Sequence, residues 1–237
     1  DPEMSRGLGD VYKRQCSFRL ASSVDELISP VSPQGDDADV QNALSSFVSG
    51  GYSLKTPSAG DFTTAYSFFD VDGDSAEEAV VFYEAEKTPG KSSMAVIDKV
   101  GGKWTVVYNI NSEYSDVYSI SFSDLTGDGV NEFIVLWDVI SNSVNHVLYV
   151  YAQNLSGEYS LSPIGSELTV NNCITVDMDL DTVNEMLAFT IESGDSVSST
   201  ATLYEYSLNG RETLGRTKLD GHISYYSDIQ YLSLIHI

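Results

Sequence analysis

Three short apolar runs that lack alternation punctuate the chain: Ala79 to Tyr83, Phe133 to Trp137 and Met186 to Thr190. Runs of that length, rich in β-branched and aromatic residues, predict strands buried on both faces, because a strand with one wet face would alternate. A second strand is predicted after each, at Met94 to Ile97, Val147 to Tyr151 and Ala201 to Tyr206. Turn signals follow at Gly101-Gly102, Ser156-Gly157 and Asn209-Gly210, the last a favoured pair for a tight hairpin. Third strands are predicted over Trp104 to Tyr108, Tyr159 to Leu161 and Glu212 to Leu214. Fourth strands are predicted over Val117 to Phe122, Leu168 to Val176 and Ile223 to Tyr231.

Upstream, Tyr52 to Lys55 and Phe62 to Phe69 read as the last two strands of an earlier unit. Before them, Val40, Ala43, Leu44, Phe47 and Val48 fall on one face at helical spacing. Asp37 or Asp39 is the expected N-cap of that short helix and Gly50-Gly51 its stop.

An acidic loop precedes each doubly apolar run. Asp70-Val71-Asp72-Gly73-Asp74 with Glu78, Asp124-Leu125-Thr126-Gly127-Asp128 with Glu132, and Asp177-Met178-Asp179-Leu180-Asp181 with Glu185 superpose without a gap. Their first aspartates are 54 and then 53 residues apart. A constant period of that size means one supersecondary unit per repeat. Four antiparallel strands per unit predict an all-β fold: a partial β-propeller over residues 37–231, with three complete blades and part of another.

The loops carry the candidate chemistry. Calcium takes about six to eight oxygen ligands, so several carboxylates and carbonyls must converge from one turn. Positions one, three and five of a tight loop turn inward, and an acid at position nine closes the site. The first loop offers Asp70, Asp72, Asp74 and Glu78 with the carbonyl of Ala76. The second offers Asp124, Thr126, Asp128 and Glu132 with that of Val130, and is one carboxylate weaker. The third offers Asp177, Asp179, Asp181 and Glu185 with that of Val183, but Leu180 and Thr182 stand where Gly73 and Gly129 ease the backbone in the other loops. An EF-hand would need its bidentate glutamate at position twelve. Val81, Val135 and Ala188 stand there, inside apolar strands, which excludes that motif.

Charge narrows the partners. With 12 Lys plus Arg against 35 Asp plus Glu, the net charge is −23, which repels phosphate backbones and anionic lipid; nucleic acid is not an expected partner. No apolar run is long enough to span a membrane. Of two cysteines, Cys173 lies in a predicted strand and reads as a small buried side chain. Cys16 and the polar stretch after it resemble the mature start of a bacterial lipoprotein, with a lipid anchor on the cysteine and a flexible linker over residues 16–36. An ordinary cysteine is the alternative.

Both ends read as foreign to the fold. Asp10 to Gln15 can be written GATGTGTATAAGAGACAG, and the reverse complement encodes Leu232 to Ile237. Ser5 to Gln15 also reads as a translated transposon-based sequencing adapter. Residues 1–15 and 232–237 are therefore expected to be adapter-derived, leaving an internal fragment of a metagenomic, bacterial kind.

Asp124 to Phe133 resembles the calcium loop of the FG-GAP and VCBS repeat family, Asp-x-Asp/Asn-Gly-Asp-Gly-x-x-Asp/Glu followed by an apolar strand, departing from it at Thr126; the first copy departs at Ser75. The likeness extends over about residues 60 to 231 and implies integrin-type propeller blades stabilised by calcium, at a cell surface or outside the cell. It implies a non-catalytic module for adhesion, scaffolding or binding of a glycan or protein ligand. The alternative is the propeller portion of a larger secreted carbohydrate-active enzyme with its catalytic residues elsewhere. His146 and His222 are isolated, and are expected to be solvent-exposed and without catalytic partners. Tyr114, Tyr225 and Tyr226 could stack on sugar rings, though they serve equally well as strand and turn residues.

Overall fold

The doubly apolar runs become inner strands of three antiparallel sheets. The computed structural model describes residues 35–139, 145–154, 160–192 and 198–220, all in the unit that begins at Gly35. Helix α1 (Asp36–Phe47) leads into β1 (Tyr52–Lys55), β2 (Tyr66–Phe69), β3 (Glu78–Ala85), β4 (Ser92–Val100) and β5 (Lys103–Asn111), the five strands of the first sheet. The second sheet holds β6 (Asp116–Ser123), β7 (Glu132–Asp138), β8 (His146–Asn154), β9 (Ser160–Pro163) and β10 (Leu168–Val170). The third holds β11 (Asn172–Val176), β12 (Glu185–Glu192), β13 (Ser198–Ser207) and β14 (Gly210–Asp220).

Alternation of side chains along each strand explains the stacking. Val80 and Phe82 of β3, with Met94 and Val96, meet Phe133, Val135 and Trp137 of β7 between the first two sheets. From the other face of β7, Ile134 and Leu136 meet Met186 and Ala188 of β12 between the second and third. The remaining face of the first sheet, with Ala79, Val81, Ala95 and Ile97, packs on Val40, Leu44 and Val48 of the helical segment. Successive side chains of a strand point oppositely, so a strand sandwiched between two layers must be apolar throughout. Trp137, Phe82 and Phe133 are the largest fully buried side chains of this core.

The sheets are phased differently from the sequence expectation. Val117 to Phe122 was expected to end the unit before it, yet β6 pairs with β7 across the acidic loop and opens the second sheet. Tyr52 to Lys55 and the segment ending at Phe69 do not form an earlier blade: β1 pairs with Phe82 to Ala85 and β2 with Glu78 to Val81, sharing one side of β3. The same sharing occurs at β8, where β9 and β10 divide its far side. Leu168 to Val176 is two strands, because the chain changes sheets at Asn171. The Asn171 amide N–H donates to Phe189 O of the third sheet (2.7 Å), while its side chain donates to Asn145 beside the second (2.9 Å). Among the described residues there are thus three sheets, not three and part of a fourth.

Helix α1 starts at Asp36 and not after Asp37 or Asp39. Gly35 takes the N-cap place at φ 64° without a side-chain hydrogen bond, and Asp36, Asp37 and Asp39 complement the helix dipole from the first turn. The helix ends before Gly50-Gly51, with the Val48 N–H donating to Leu44 O, and Phe47 is exposed, not packed. Residues Gly35 and Asp36, expected in the linker, therefore belong to the folded unit. Cys16, His222, Tyr225, Tyr226, the expected strand at Ile223 to Tyr231, the turn at Ser156-Gly157 and both adapter-like ends lie outside the described residues. No helix among the described residues is long and apolar enough to cross a membrane.

Candidate metal centres

Each acidic loop joins two strands that pair within one sheet, residues 70–77 between β2 and β3, 124–131 between β6 and β7, and 177–184 between β11 and β12. Local hydrogen bonds make the three alike. The first aspartate folds the turn over itself: Asp70 accepts from the Gly73 and Ser75 N–H groups at 2.8 and 3.0 Å. Asp124 accepts from Gly127 and Gly129 at 2.7 and 2.9 Å. Asp177 accepts from Asp181 and Thr182 at 3.1 and 3.0 Å. In all three loops the fourth and sixth residues take left-handed backbone angles: Gly73 and Ser75, Gly127 and Gly129, Leu180 and Thr182.

Only the second loop has glycine at both of those places. In the third, Leu180 at φ 67° and Thr182 at φ 83° carry side chains into the left-handed region. That conformation costs an ordinary residue about 1–2 kcal/mol, partly offset by the extra chain entropy glycine loses on folding. Leu180→Gly and Thr182→Gly are each expected to stabilise the chain by about 0.5–1 kcal/mol. Urea unfolding curves check this; a lower midpoint for either variant would show that the side chain stabilises the turn by some contact.

The ninth residue closes each loop from within the strand. Glu78, Glu132 and Glu185 are buried, 5%, 1% and 4% exposed. Each accepts the N–H of the second loop residue: Val71 at 2.8 Å, Leu125 at 2.8 Å and Met178 at 2.6 Å. Loss of water pushes the Glu78 and Glu132 carboxyls up to about 7, against the opposing pull of those N–H groups. The Asp72 carboxyl is also raised, first by burial and then by Asp74 and Asp70 nearby.

Two groups of three carboxylates converge: Asp70, Asp72 and Glu78, and Asp177, Asp179 and Glu185, with ligand atoms within 4.8 Å of one another in each. Either could hold a metal ion. An all-oxygen donor set suits a hard cation, and a cation would offset the cost of ionising a buried glutamate. In the second loop Thr126 replaces the middle acid, and its hydroxyl donates to Glu132 at 3.3 Å. The fifth-position acids turn to their own loops: Asp74, Asp128 and Asp181 accept the N–H groups of Ala76, Val130 and Val183 at 2.7, 2.9 and 2.8 Å.

Asn131 and Asn184, each just before a closing glutamate, were not singled out in the sequence, although both occupy the eighth loop place. Asn131 donates from its backbone to Val71 O at 3.0 Å and from its side chain to Asp70 O at 3.4 Å. Asn184 donates from its backbone to Asp124 O at 3.3 Å and from its side chain to Ser123 Oγ at 3.0 Å. The first loop has Glu77 at that place.

His146 departs from expectation. It is buried, its Nδ1 lies 2.7 Å from Asp138, and its ring stacks on Tyr118 at 3.6 Å. It sits directly across β7 and β8 from Asp138, at a hairpin end where the sequence shows no partner, because the pairing depends on register. Tyr114 packs nearly parallel to Trp137, so one of its ring faces is occupied. Cys173 packs against the core between the second and third sheets, and burial pushes its thiol up to about 12. No protein-family model matches the chain, and no curated protein does.

Proposed function

We propose that this chain is a non-catalytic, calcium-stabilised segment of an FG-GAP/VCBS-type β-propeller that serves binding, adhesion or scaffolding outside the cell. One observation carries the reading: buried glutamates close two clusters of carboxylates at the same place in two sheets. A stack of sheets with repeated acidic hairpins on a strongly acidic chain gains stability when the hairpins hold cations, since the ion pairs with carboxylates that would otherwise repel. Calcium fits better than magnesium because it accepts irregular sets of protein oxygens, whereas magnesium demands near-ideal octahedral geometry and usually keeps several waters. Asp70, Asp72 and Glu78 would hold one ion, Asp177, Asp179 and Glu185 another, and the ion's chemistry there is charge neutralisation. Millimolar calcium outside cells suits sites of modest affinity, with Kd of about 10⁻⁴–10⁻³ M.

Calorimetric titration of the full chain with calcium is expected to give two ions bound. Asp72→Asn should remove the first and Asp179→Asn the second. Absence of binding, or a stoichiometry indifferent to both substitutions, would overturn the proposal.

A further inference from the structure

The three loops lie against one another in a row. A Cβ on Gly127 would meet Val183 Cγ2 of the third loop at 2.8 Å, and one on Gly73 would lie 3.6 Å from Gly129 O of the second. Through this row run two hydrogen-bond relays, the first starting from a side chain and the second from a backbone N–H. Asn131 Nδ2 donates to Asp70 O, and the N–H at the other end of that same peptide unit, on Val71, donates to Glu78. Asn184 N–H donates to Asp124 O, and the Leu125 N–H of that peptide unit donates to Glu132. A peptide that accepts at its carbonyl becomes a stronger donor at its N–H, so each relay reaches from one loop to the buried glutamate of the loop before it.

We infer that Asn131 is a positioning residue that couples neighbouring acidic loops, so that cation affinity in the first loop depends on a side chain of the second. The inference rests on the cation reading above. Asn131 holds the backbone of Asp70, the first carboxylate of its cluster, and strengthens the N–H that orients Glu78, while none of its own atoms belongs to the cluster. With it in place, the Asp70 and Glu78 oxygens are held near one another before the ion arrives, which lowers the ordering cost of binding. The second loop, whose Thr126 hydroxyl already satisfies Glu132, thereby acts as a connecting piece between the two three-carboxylate clusters.

The test is calcium titration of the full chain in two backgrounds. In Asp179→Asn, which leaves the first cluster, adding Asn131→Ala should weaken calcium binding about fivefold or more, the loss expected for one hydrogen bond feeding a charged acceptor. In Asp72→Asn, which leaves the third cluster, Asn131→Ala should change nothing. Faster hydrogen exchange of the Val71 amide in the Asn131→Ala chain should accompany the loss. Should that chain fail to fold by circular dichroism, Asn131→Ser takes its place. Equal affinities with and without Asn131→Ala in the first background would overturn the coupling, and so would an equal loss in both. If the unsubstituted chain binds no calcium, the cation reading itself falls, a result distinct from either.

Discussion

Calcium added to the full chain should raise its melting temperature by roughly 10–20 °C, and EDTA should reverse the rise. An ion that binds only the folded state adds about 2.7 kcal/mol per site at a hundredfold excess over Kd, so two sites add about 5 kcal/mol. For a chain of this size each kcal/mol moves the melt by about 2–4 °C. The folded state alone can bind well, because Asp70 and Glu78 come together only when β2 and β3 are paired across the turn. Since the chain carries a net charge of −23, any salt will also relieve some repulsion. Sodium chloride at matched ionic strength is therefore the control, and Asp72→Asn with Asp179→Asn together should reduce the calcium effect to that level. A melt insensitive to EDTA would count against cation-held hairpins.

Without calcium, stability should fall as pH rises from about 4.5 to 7. The folded carboxyls of Glu78 and Glu132 sit up at about 7, above their ordinary value of 4.5, so the folded chain holds protons that the unfolded chain has released. Their contribution is complete below pH 4.5 and is lost as pH rises through 7. Each is worth about 3–4 kcal/mol at most over that window. Urea melts in EDTA across this range measure the slope. Glu132→Gln, which keeps an acceptor for the Leu125 N–H but cannot ionise, should flatten about half of it. Saturating calcium should remove the part due to Glu78, because the ion favours the charged form, and leave the part due to Glu132. Rising stability between pH 5 and 7 in EDTA would contradict the assignment of these two groups as the ones that resist ionisation.

What the sequence made legible, and what it did not, follows from the kind of information each feature needs. Burial of β3 and β7 on both faces was readable, because uninterrupted apolar residues from Ala79 to Tyr83 and Phe133 to Trp137 leave no wet face. The places where the turns need an eased backbone were readable from Gly73 and Gly129, and the structure puts them, with Leu180 and Thr182, in the left-handed region. The phase of the repeat was not. A period fixes how often a unit recurs but not where the sheet begins, and a hairpin loop looks the same in sequence as a connection between sheets. Only the pairing of Phe122 with Phe133, and of Phe69 with Glu78, assigns the acidic loops to the interior of each sheet. Contacts set by register were hidden for the same reason. His146 opposite Asp138, and Asn131 against Asp70, join residues whose meeting depends on how whole strands line up.

Helix α1 has a bearing on how far such a row can extend. With Val40, Leu44 and Val48 seated on the first sheet, that layer has one neighbour of strands and one of helix. The helix works as an end-stop: another pleated layer arriving from that side, whether from farther along the same polypeptide or from a second molecule, would have to dislodge it. Circular closure through the first sheet would require α1 to move aside.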